Sequence, residues 1–83
     1  MIQHIEHPLT EAKNYRVVPL RERHLDDAAM LGAILRDEPD TVRDPKRKGF
    51  FWVDGGRSCF YVNVHPRTRT VYLVSVAHPE QPH

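Results

Sequence analysis

Basic and aromatic side chains alternate along one stretch of this chain, and the combination is typical of a surface that binds an anionic partner. Aromatic rings stack on nucleobases, and cationic side chains contact the phosphate backbone. The same residue types are enriched at protein interfaces, so a partner protein, a second copy of the chain or a small molecule are alternatives. The candidate binding residues are Lys46, Arg47, Lys48, Phe50, Trp52, His65, Arg67, Arg69 and Tyr72.

Charge is distributed unevenly along the chain, although the net charge at pH 7 is only +1. Residues 1–42 hold five basic and eight acidic side chains, whereas residues 43–69 hold seven basic and two acidic ones. The second segment therefore carries a net charge of +5, against −3 for the first. A basic region of this kind favours an anionic partner such as nucleic acid. A solvated surface without a charged partner is the alternative, because the overall pI is near 8.0.

The sequence gives little support for a catalytic cysteine, a phosphate-binding loop or a metal site. Cys59 is the only cysteine, which excludes an intrachain disulfide, and no nearby base is expected to activate its thiol. Gly55-Gly56 lies in a predicted hairpin, not between a strand and a helix as a phosphate-binding loop would. The spacing of His65, His78 and His83 is not that of a zinc site. We therefore expect neither a metal nor a cofactor.

The size and composition of the chain predict one small domain. Its 83 residues are too few for two domains, and 40% hydrophobic with 28% charged residues is ordinary for a globular protein. No apolar run approaches the ~18–20 residues of a membrane helix, and the N-terminus does not resemble a signal peptide. We expect a cytoplasmic protein without a membrane contact. It should comprise an N-terminal arm at residues 1–14, a domain at residues 15–79 and a tail at residues 80–83.

The arm contains Pro8 and shows little periodicity, with a short strand over residues 2–6 as the one element expected there. His4 and His7 would suit a metal only if they shared a helix face, and Pro8 argues against a helix at that point. A disordered or loosely docked arm is therefore the expectation, rather than a metal site.

Three apolar runs rich in β-branched and aromatic residues predict an antiparallel meander, which must position the candidate binding residues. The runs are residues 49–54, 58–65 and 70–78. Residues 15–20 form a candidate fourth strand, which Pro19 confines to a sheet edge or a strand end. With one helix after that strand, the order predicts a small α+β domain, β-α-β-β-β, whose antiparallel sheet has one main helix packed on one face.

The helix is predicted from residue 21 or 22 to residue 37, where apolar residues recur with a helical period. Its broad apolar stripe and Met30 are expected to face the core, and Pro39 should end the helix. Gly32 costs about 1 kcal/mol relative to alanine inside a helix, so we expect close approach to the sheet to compensate there. Residues 40–43 are a candidate for one further helical turn. The stripe residues are Leu25, Ala28, Ala29, Leu31, Gly32, Ile34 and Leu35.

Two turn sequences determine the predicted strand registers. Gly55-Gly56 suits a two-residue hairpin turn, because glycine accepts a positive φ at both turn positions. Residues 66–69 make the second, four-residue turn. The expected opposed pairs include Asp54 with Arg57, His65 with Thr70, Cys59 with Val76 and Arg57 with His78.

Because side chains alternate along a strand, these registers divide the sheet into two faces. One helix covers one face only, so we expect the second face to bind the partner unless the arm or another subunit covers it. The face expected to pack on the helix carries Phe51, Val53, Ser58, Phe60, Val62, Val64, Val71, Leu73, Ser75 and Ala77. The other carries Phe50, Trp52, Asp54, Arg57, Cys59, Tyr61, Asn63, His65, Tyr72, Val74, Val76 and His78.

The stretch KGFFWVDGGRSCFYVNVHPRTRTVYLVSVAH resembles the C-terminal half of the RelE/ParE toxin superfamily. Residues 69–78 are similar to the closing strand of that family, and Tyr61 falls where its middle-strand tyrosine is expected. The resemblance implies a toxin-type protein of a bacterial toxin-antitoxin system, with an antitoxin as partner and RNA or a protein as target. It also implies acid/base and stacking roles for His78 and Tyr61 and a phosphate contact for Arg57.

The chain departs from that family at positions that matter for RNA cleavage. RNA-cleaving members place arginines along the first two meander strands, whereas this chain has Phe51, Val53 and Ser58 there. The usual helical hairpin is also shortened to one helix. Whether the chain is an enzyme is therefore open. The alternative is a non-enzymatic interaction module that dimerises or binds a protein partner through the aromatic face.

Overall fold

The computed structural model describes residues 14–78. The expected arm up to residue 13, with its strand over residues 2–6 and its two histidines, lies outside the described residues, as does the expected tail. Five strands, one α-helix and two short 3₁₀ turns are the principal elements of the described part. The strands are β1 (Arg16–Pro19), β2 (Thr41–Arg43), β3 (Phe50–Asp54), β4 (Cys59–His65) and β5 (Thr70–Ala77), the helix is α1 (Leu25–Leu35), and the 3₁₀ turns are Glu22–His24 and Pro66–Thr68.

The five strands form one sheet in the order β1-β5-β4-β3-β2. Neighbours from β2 to β5 are antiparallel, whereas β1 lies parallel to β5 at the edge. The predicted α+β class and the edge position of β1 are confirmed, but the expectation of a purely antiparallel sheet is wrong. No hairpin joins β1 to β5, since α1 and three strands intervene, so no tight turn imposes an antiparallel direction.

α1 packs on one face of the sheet through a narrow stripe. Ala28, Leu31 and Leu35 are buried, at spacings of three and four residues that keep them on one side of the helix. The predicted stripe is too broad, because Leu25 and Met30 are 58% and 49% exposed. A helix of eleven residues, about three turns, meets the sheet along one line, so residues that flank this line stay in solvent.

β2 forms where the sequence predicts one further helical turn, so that prediction is wrong. Thr41 and Val42 are β-branched, and Pro45 disfavours the helical conformation in the residue before it. The segment pairs with β3 instead, with Val42 opposite Trp52. It adds a fifth strand at the edge of the sheet far from β1.

The β3–β4 hairpin has a longer loop than the two glycines predict. Asp54 pairs with Cys59, and residues 55–58 form a loop closed by a 2.9 Å backbone hydrogen bond between its first and last residues. The Gly56 N–H donates to the Asp54 carboxylate at 2.9 Å, and Gly56 has a φ of 90°. Each β3 residue pairs with the β4 residue two positions after the predicted partner. Because side chains alternate with a period of two, every side chain of the two strands keeps its predicted face.

A β-bulge interrupts the β4–β5 pairing. The register follows the prediction from the second turn as far as Val62, which lies opposite Leu73. Val74 is then an extra residue, which displaces the rest of β5 by one position. Val76 therefore packs against the core and its two neighbours in the strand are exposed, contrary to the prediction. The pairs beyond the bulge are Tyr61 with Ser75, Phe60 with Val76 and Cys59 with Ala77.

The core lies between α1 and the face of the sheet that the sequence predicts for packing. All of its sheet members belong to that predicted face. The buried core residues are Ala28, Leu31, Leu35, Phe51, Val53, Phe60, Val62, Val64, Val71 and Leu73.

Gly32 lies on α1 at a position that has room for a side chain. A Cβ placed there would meet Val17 Cγ2 at 4.0 Å, an ordinary van der Waals distance, so the close approach expected from the sequence is wrong. Gly32→Ala should therefore raise the free energy of unfolding by about 0.5–1 kcal/mol, because alanine has the higher helix propensity. Urea denaturation followed by circular dichroism measures the change.

Gly55→Ala is the matched comparison, because the same methyl group would enter a crowded site. Its Cβ would lie 2.6 Å from Phe60 Cε1 and 3.0 Å from Ile34 Cδ1. This variant should be less stable than the wild type. A Gly32→Ala protein that unfolds at a lower urea concentration than the wild type would contradict this view of the helix–sheet packing.

Candidate nucleic-acid interface

The face of the sheet opposite α1, called the open face below, carries the aromatic residues that the sequence predicts for binding. α1 is the only α-helix among residues 14–78, and it packs on the other side of the sheet. Within this part of the chain the open face is therefore not covered by a helix. Its side chains include Phe50, Trp52, Tyr61, Asn63, His65 and Tyr72.

Three rings from β3 and β4 form a cluster on the open face. The ring centroids of Phe50 and Tyr61 are 5.5 Å apart, and those of Trp52 and Tyr61 are 4.2 Å apart. The guanidinium carbon of Arg47 lies 4.0 Å from the Phe50 centroid in a cation–π contact. Tyr61, in the middle of the cluster, is 7% exposed, whereas Trp52 is 40% exposed. A ligand on this face would meet Trp52 and Arg47 first.

The segment between β2 and β3, residues 44–49, is tied to this cluster by hydrogen bonds. The Tyr61 hydroxyl donates to the Asp44 carboxylate, and Arg47 Nη1 donates to the hydroxyl oxygen of Tyr61 at 3.4 Å. The backbone N–H of Lys46 donates to Asp44 Oδ1 at 2.9 Å. Asp44 is not among the residues that the sequence singles out, because no local pattern indicates a contact with a side chain 17 residues later.

These contacts determine the ionisation of Asp44 and Tyr61. The hydrogen bond from Tyr61, followed by the one from the Lys46 backbone, lowers the pKa of Asp44 below its ordinary value of 3.8. Loss of water around the phenol, followed by its bond to Asp44, raises the pKa of Tyr61 above its ordinary value of 10.0. At neutral pH Asp44 is a carboxylate and Tyr61 is a neutral donor. The acid/base or stacking role expected of Tyr61 stays a prediction.

Asp44→Asn should destabilise the protein most at neutral pH. Because the pKa of Asp44 is lower in the folded state, its contribution to stability is full above the ordinary pKa of 3.8, which applies to the unfolded chain, and is lost as the pH falls through the folded pKa. The stability difference between the wild type and Asp44→Asn should therefore shrink below about pH 4. Urea denaturation at several pH values from neutral to acidic measures this difference.

Asp37→Asn is the charge-matched control for this experiment, because it removes the same charge at an exposed position just after α1. Subtracting its effect corrects for the change in net charge. A destabilisation by Asp44→Asn that stayed constant from neutral to acidic pH would show that the carboxylate does not stabilise the fold through its ionised form.

A second group on the open face surrounds a hollow of about 370 Å³. His65 packs edge-on against Tyr72, with ring centroids 5.0 Å apart and an interplanar angle of 83°. His65 Nε2 lies 2.5 Å from Asn63 Oδ1, and Asn63 Nδ2 donates to the Gly49 carbonyl at 3.1 Å. Four of the predicted binding residues therefore line this hollow, namely Arg47, Phe50, His65 and Tyr72. The lining residues are Leu20, Arg47, Phe50, Asn63, His65, Tyr72 and Val74.

The basic run Lys46-Arg47-Lys48 is divided between two places. Arg47 lies over the rings of the open face, whereas its two neighbours line a separate hollow of about 620 Å³ together with Arg43. That hollow reaches Phe51 and Val64, which belong to the face that packs on α1. The three consecutive cations therefore do not form one continuous patch.

The remaining predicted cations lie at the two ends of β4. Arg67 and Arg69 are exposed in the turn that follows β4, and Arg57 is exposed in the loop that precedes it. The seven residues of β4 separate these ends by roughly 20 Å. One small ligand cannot contact both ends, although an extended chain can.

His78, one of the predicted catalytic residues, lies beside the β3–β4 loop and not beside Tyr61. Its Nδ1 is 2.9 Å from the Oγ of Ser58, which is buried. The bulge in β5 displaces the register by one residue, so Ser58 takes the place opposite His78 that the sequence assigns to Arg57. Tyr61 lies opposite Ser75, three residues before His78 and about 10 Å away along the strand. The structure brings His78 and Arg57 to one corner of the sheet and leaves Tyr61 outside it.

Cys59 behaves as a packing residue in this geometry. It is half-buried opposite Asp54, and loss of water, followed by the nearby carboxylate, raises the pKa of its thiol above 9.0. The thiol is therefore protonated and weakly nucleophilic at neutral pH. Within residues 14–78, no group of three or more His, Cys, Asp or Glu side chains is arranged to hold a metal ion.

Comparison with known proteins finds no match, since no family model, no curated protein and no solved structure corresponds to this chain. In the described part of the chain, no helix has the length and apolar character needed to cross a membrane. The RelE/ParE resemblance therefore stays a prediction that rests on the residues of the chain, mainly 49–78.

Proposed function

We propose that this protein binds single-stranded RNA along the open face of its sheet, as a cytoplasmic toxin-type protein of the RelE/ParE kind that a partner protein neutralises. The observation that carries the proposal is the guanidinium of Arg47 held over the Phe50 ring, on the same face as the exposed ring of Trp52. Unpaired bases stack on exposed rings, and cations beside those rings meet the phosphates.

Arg47 can contact a phosphate without losing its present contacts. A guanidinium has five N–H donors, and one hydrogen bond of Arg47 goes to the Tyr61 hydroxyl. Its contact with the Phe50 ring is a cation–π interaction, which uses none of the other donors. The remaining N–H groups can form the paired hydrogen bonds by which arginine recognises phosphate.

The positions of the other arginines favour an extended ligand over a compact one. An RNA strand lying along β4 would pass from the turn with Arg67 and Arg69, over the rings, to the loop with Arg57. A compact anion would reach only one end, because roughly 20 Å separate the two. The net charge of +5 over residues 43–69 supports an anionic partner in the same region.

The proposal is for binding, not for cleavage. Phe51 and Val53, which stand where RNA-cleaving members carry arginines, are 2% and 0% exposed in the core. Ser58, the third such position, contacts His78. No cation at these positions can stabilise the charge that develops on a phosphate attacked by a ribose 2′-hydroxyl. The sequence predicts His78 on the open face, but the bulge in β5 places it beside Ser58, on the side of the sheet that packs on α1, so an acid/base role for His78 is not part of this proposal.

Trp52→Ala should weaken the binding of an oligouridylate by about tenfold, because one base loses its stacking partner. Arg47→Ala should weaken binding and also reduce the slope of log K against log salt concentration by about 0.7, the value for one phosphate contact on a single strand. Fluorescence anisotropy at several salt concentrations measures both quantities. Arg36→Ala, at the C-terminus of α1 on the opposite face of the sheet, removes the same charge away from the open face and should change neither.

Two results would count against the proposal. A folded wild-type protein that binds no oligoribonucleotide at micromolar concentration would refute RNA binding. Expression of the wild type should arrest growth, and Trp52→Ala should relieve the arrest. Normal growth with soluble wild-type protein would refute the toxin role even if RNA is bound.

A second candidate function is the binding of a protein, either a partner or a second copy of the chain, at the β2 edge of the open face. Val42 is 62% exposed and Trp52 is 40% exposed, and the two lie opposite each other on neighbouring strands. An exposed apolar pair at a sheet edge favours a protein interface, in which tryptophan is enriched.

Val42→Ser separates the two functions, because Val42 has no ring on which a base could stack. It should weaken self-association, measured by sedimentation equilibrium, and leave the RNA affinity unchanged. Trp52→Ala should reduce both. A wild-type protein that sediments as a monomer at micromolar concentration would refute self-association and leave a different protein as the only partner for this surface.

A further inference from the structure

The hollow lined by Phe50 and Tyr72 is small and has both apolar and polar walls. Its volume of about 370 Å³ is near the lower end of the ~300–1,000 Å³ that ligand pockets span. The two rings supply aromatic walls, and Leu20 and Val74 supply aliphatic ones. A space of this size and lining suits one planar ring system with its sugar.

Both aromatic walls are held by neighbouring side chains. Tyr72 has the ring of His65 edge-on at 5.0 Å. Phe50 has the Arg47 guanidinium at 4.0 Å and the Tyr61 ring at 5.5 Å. These contacts restrict the rotation of the walls, so the hollow is organised before a ligand arrives and less conformational entropy is lost on binding.

Asn63 presents an amide of fixed orientation to the hollow. The Gly49 carbonyl accepts the Val64 N–H at 2.9 Å and lies 3.1 Å from the amide of Asn63. A carbonyl can only accept, so the amide nitrogen must face Gly49 and the amide oxygen must face His65. Gly49 has a φ of 84°, and a Cβ there would lie 3.4 Å from Asn63 Nδ2. The second N–H of the amide remains for a ligand.

The protonated nitrogen of His65 follows from this orientation. Asn63 Oδ1 is an acceptor, so His65 Nε2, which is 2.5 Å away, must carry the proton. In a neutral imidazole the other nitrogen, Nδ1, is then an acceptor. Both residues line the hollow, so the second amide N–H of Asn63 is a donor and Nδ1 of His65 an acceptor that they can offer to a ligand there.

We propose that this hollow binds one unpaired nucleobase, packed against Phe50 and Tyr72 and hydrogen-bonded along its edge to Asn63 and His65. Each nucleobase has a donor next to an acceptor on its Watson–Crick edge, and a protein donor–acceptor pair complements them. Arg47, which also lines the hollow, contacts the phosphate of the same nucleotide. This inference rests on the proposed function, because it makes the hollow the point at which a bound RNA strand is held by a base.

An aromatic side chain of a protein partner fits the hollow less well. It would fill the same space, but phenylalanine has no polar atom, tyrosine and tryptophan have one each, and the two nitrogens of histidine are not adjacent, so none of them offers two neighbouring polar atoms. The second amide N–H of Asn63 and the Nδ1 of His65 would then lose water without gaining a pair of partners. The polar groups of the hollow therefore favour a nucleobase over a protein side chain.

Titration of the ¹⁵N-labelled wild-type protein with each of the four nucleoside 5′-monophosphates tests this proposal. The backbone amide resonances of Asn63, His65 and Tyr72 should shift in a saturable manner with at least one nucleotide. Ribose 5-phosphate, which has the sugar and phosphate without a base, should shift none of them. Equal shifts with ribose 5-phosphate, equal shifts with N-acetyltyrosine amide, or no shift with any nucleotide would each overturn it.

His65→Phe separates base recognition from general RNA binding. The phenyl ring keeps the edge-on contact with Tyr72 but has no nitrogen atoms, and a thermal melt checks that the variant is folded. It should weaken binding of the preferred mononucleotide by about tenfold, the equivalent of one hydrogen bond. It should also reduce the differences in affinity among the homo-oligoribonucleotides of A, C, G and U, whereas Trp52→Ala should weaken binding of all four by a similar factor.

The outcomes distinguish this inference from the function on which it rests. If the wild type binds oligoribonucleotides and His65→Phe changes neither affinity nor preference, base recognition in the hollow is refuted and RNA binding stands. If the wild type binds no oligoribonucleotide, the proposed function is refuted together with the hollow's role in it.

Discussion

The arrangement of the open face depends on the hydrogen bond from the Tyr61 hydroxyl to the Asp44 carboxylate. The segment from residue 44 to residue 49 carries three cations, which repel one another and lose side-chain entropy when they are ordered. Backbone hydrogen bonds close the segment, from the Asp44 N–H to the Phe50 carbonyl at 2.9 Å and from the Phe50 N–H to the Arg47 carbonyl at 3.1 Å, and a side-chain anchor holds it against the open face. Asp44 supplies that anchor, and the Lys46 N–H on the same carboxylate holds the turn that follows. With the segment held in this way, Arg47 lies over the Phe50 ring.

The phenol of Tyr61 also keeps two opposite charges apart. Its oxygen accepts a hydrogen bond from Arg47 and donates one to Asp44, so it lies between the guanidinium and the carboxylate. A direct ion pair would neutralise Arg47 and occupy two of its donors. The bridging phenol leaves the arginine more of its charge and most of its hydrogen-bonding capacity. The open face therefore contains a carboxylate and still keeps an exposed cation at Arg47.

Much of the core could be predicted from the sequence because alternation along a strand has a period of two. The β3–β4 loop is two residues longer than the Gly55-Gly56 pair predicts, yet the assignment of residues to faces survives, since a shift of two returns each side chain to the same side. The bulge at Val74 has the opposite effect. One extra residue exchanges the faces of all that follow, and no feature of the run from Thr70 to His78 indicates where it occurs.

In the candidate site, contacts between residues that are close in sequence could be predicted, whereas contacts between distant segments could not. Asn63 and His65 are two residues apart on one strand, so the pattern alone places them side by side, as the structure does. The Tyr61–Asp44 and Ser58–His78 contacts join segments that are distant in sequence, and they depend on how the strands come together.

The basic run Lys46-Arg47-Lys48 is misleading for a related reason. The three residues lie in the turns between β2 and β3, where the backbone changes direction, so the run of like charges is divided between two surfaces and does not concentrate on one. The open face therefore carries less positive charge than the net charge of +5 for residues 43–69 suggests. If the face binds RNA as we propose, ring stacking and base contacts must contribute to the affinity at least as much as phosphate neutralisation.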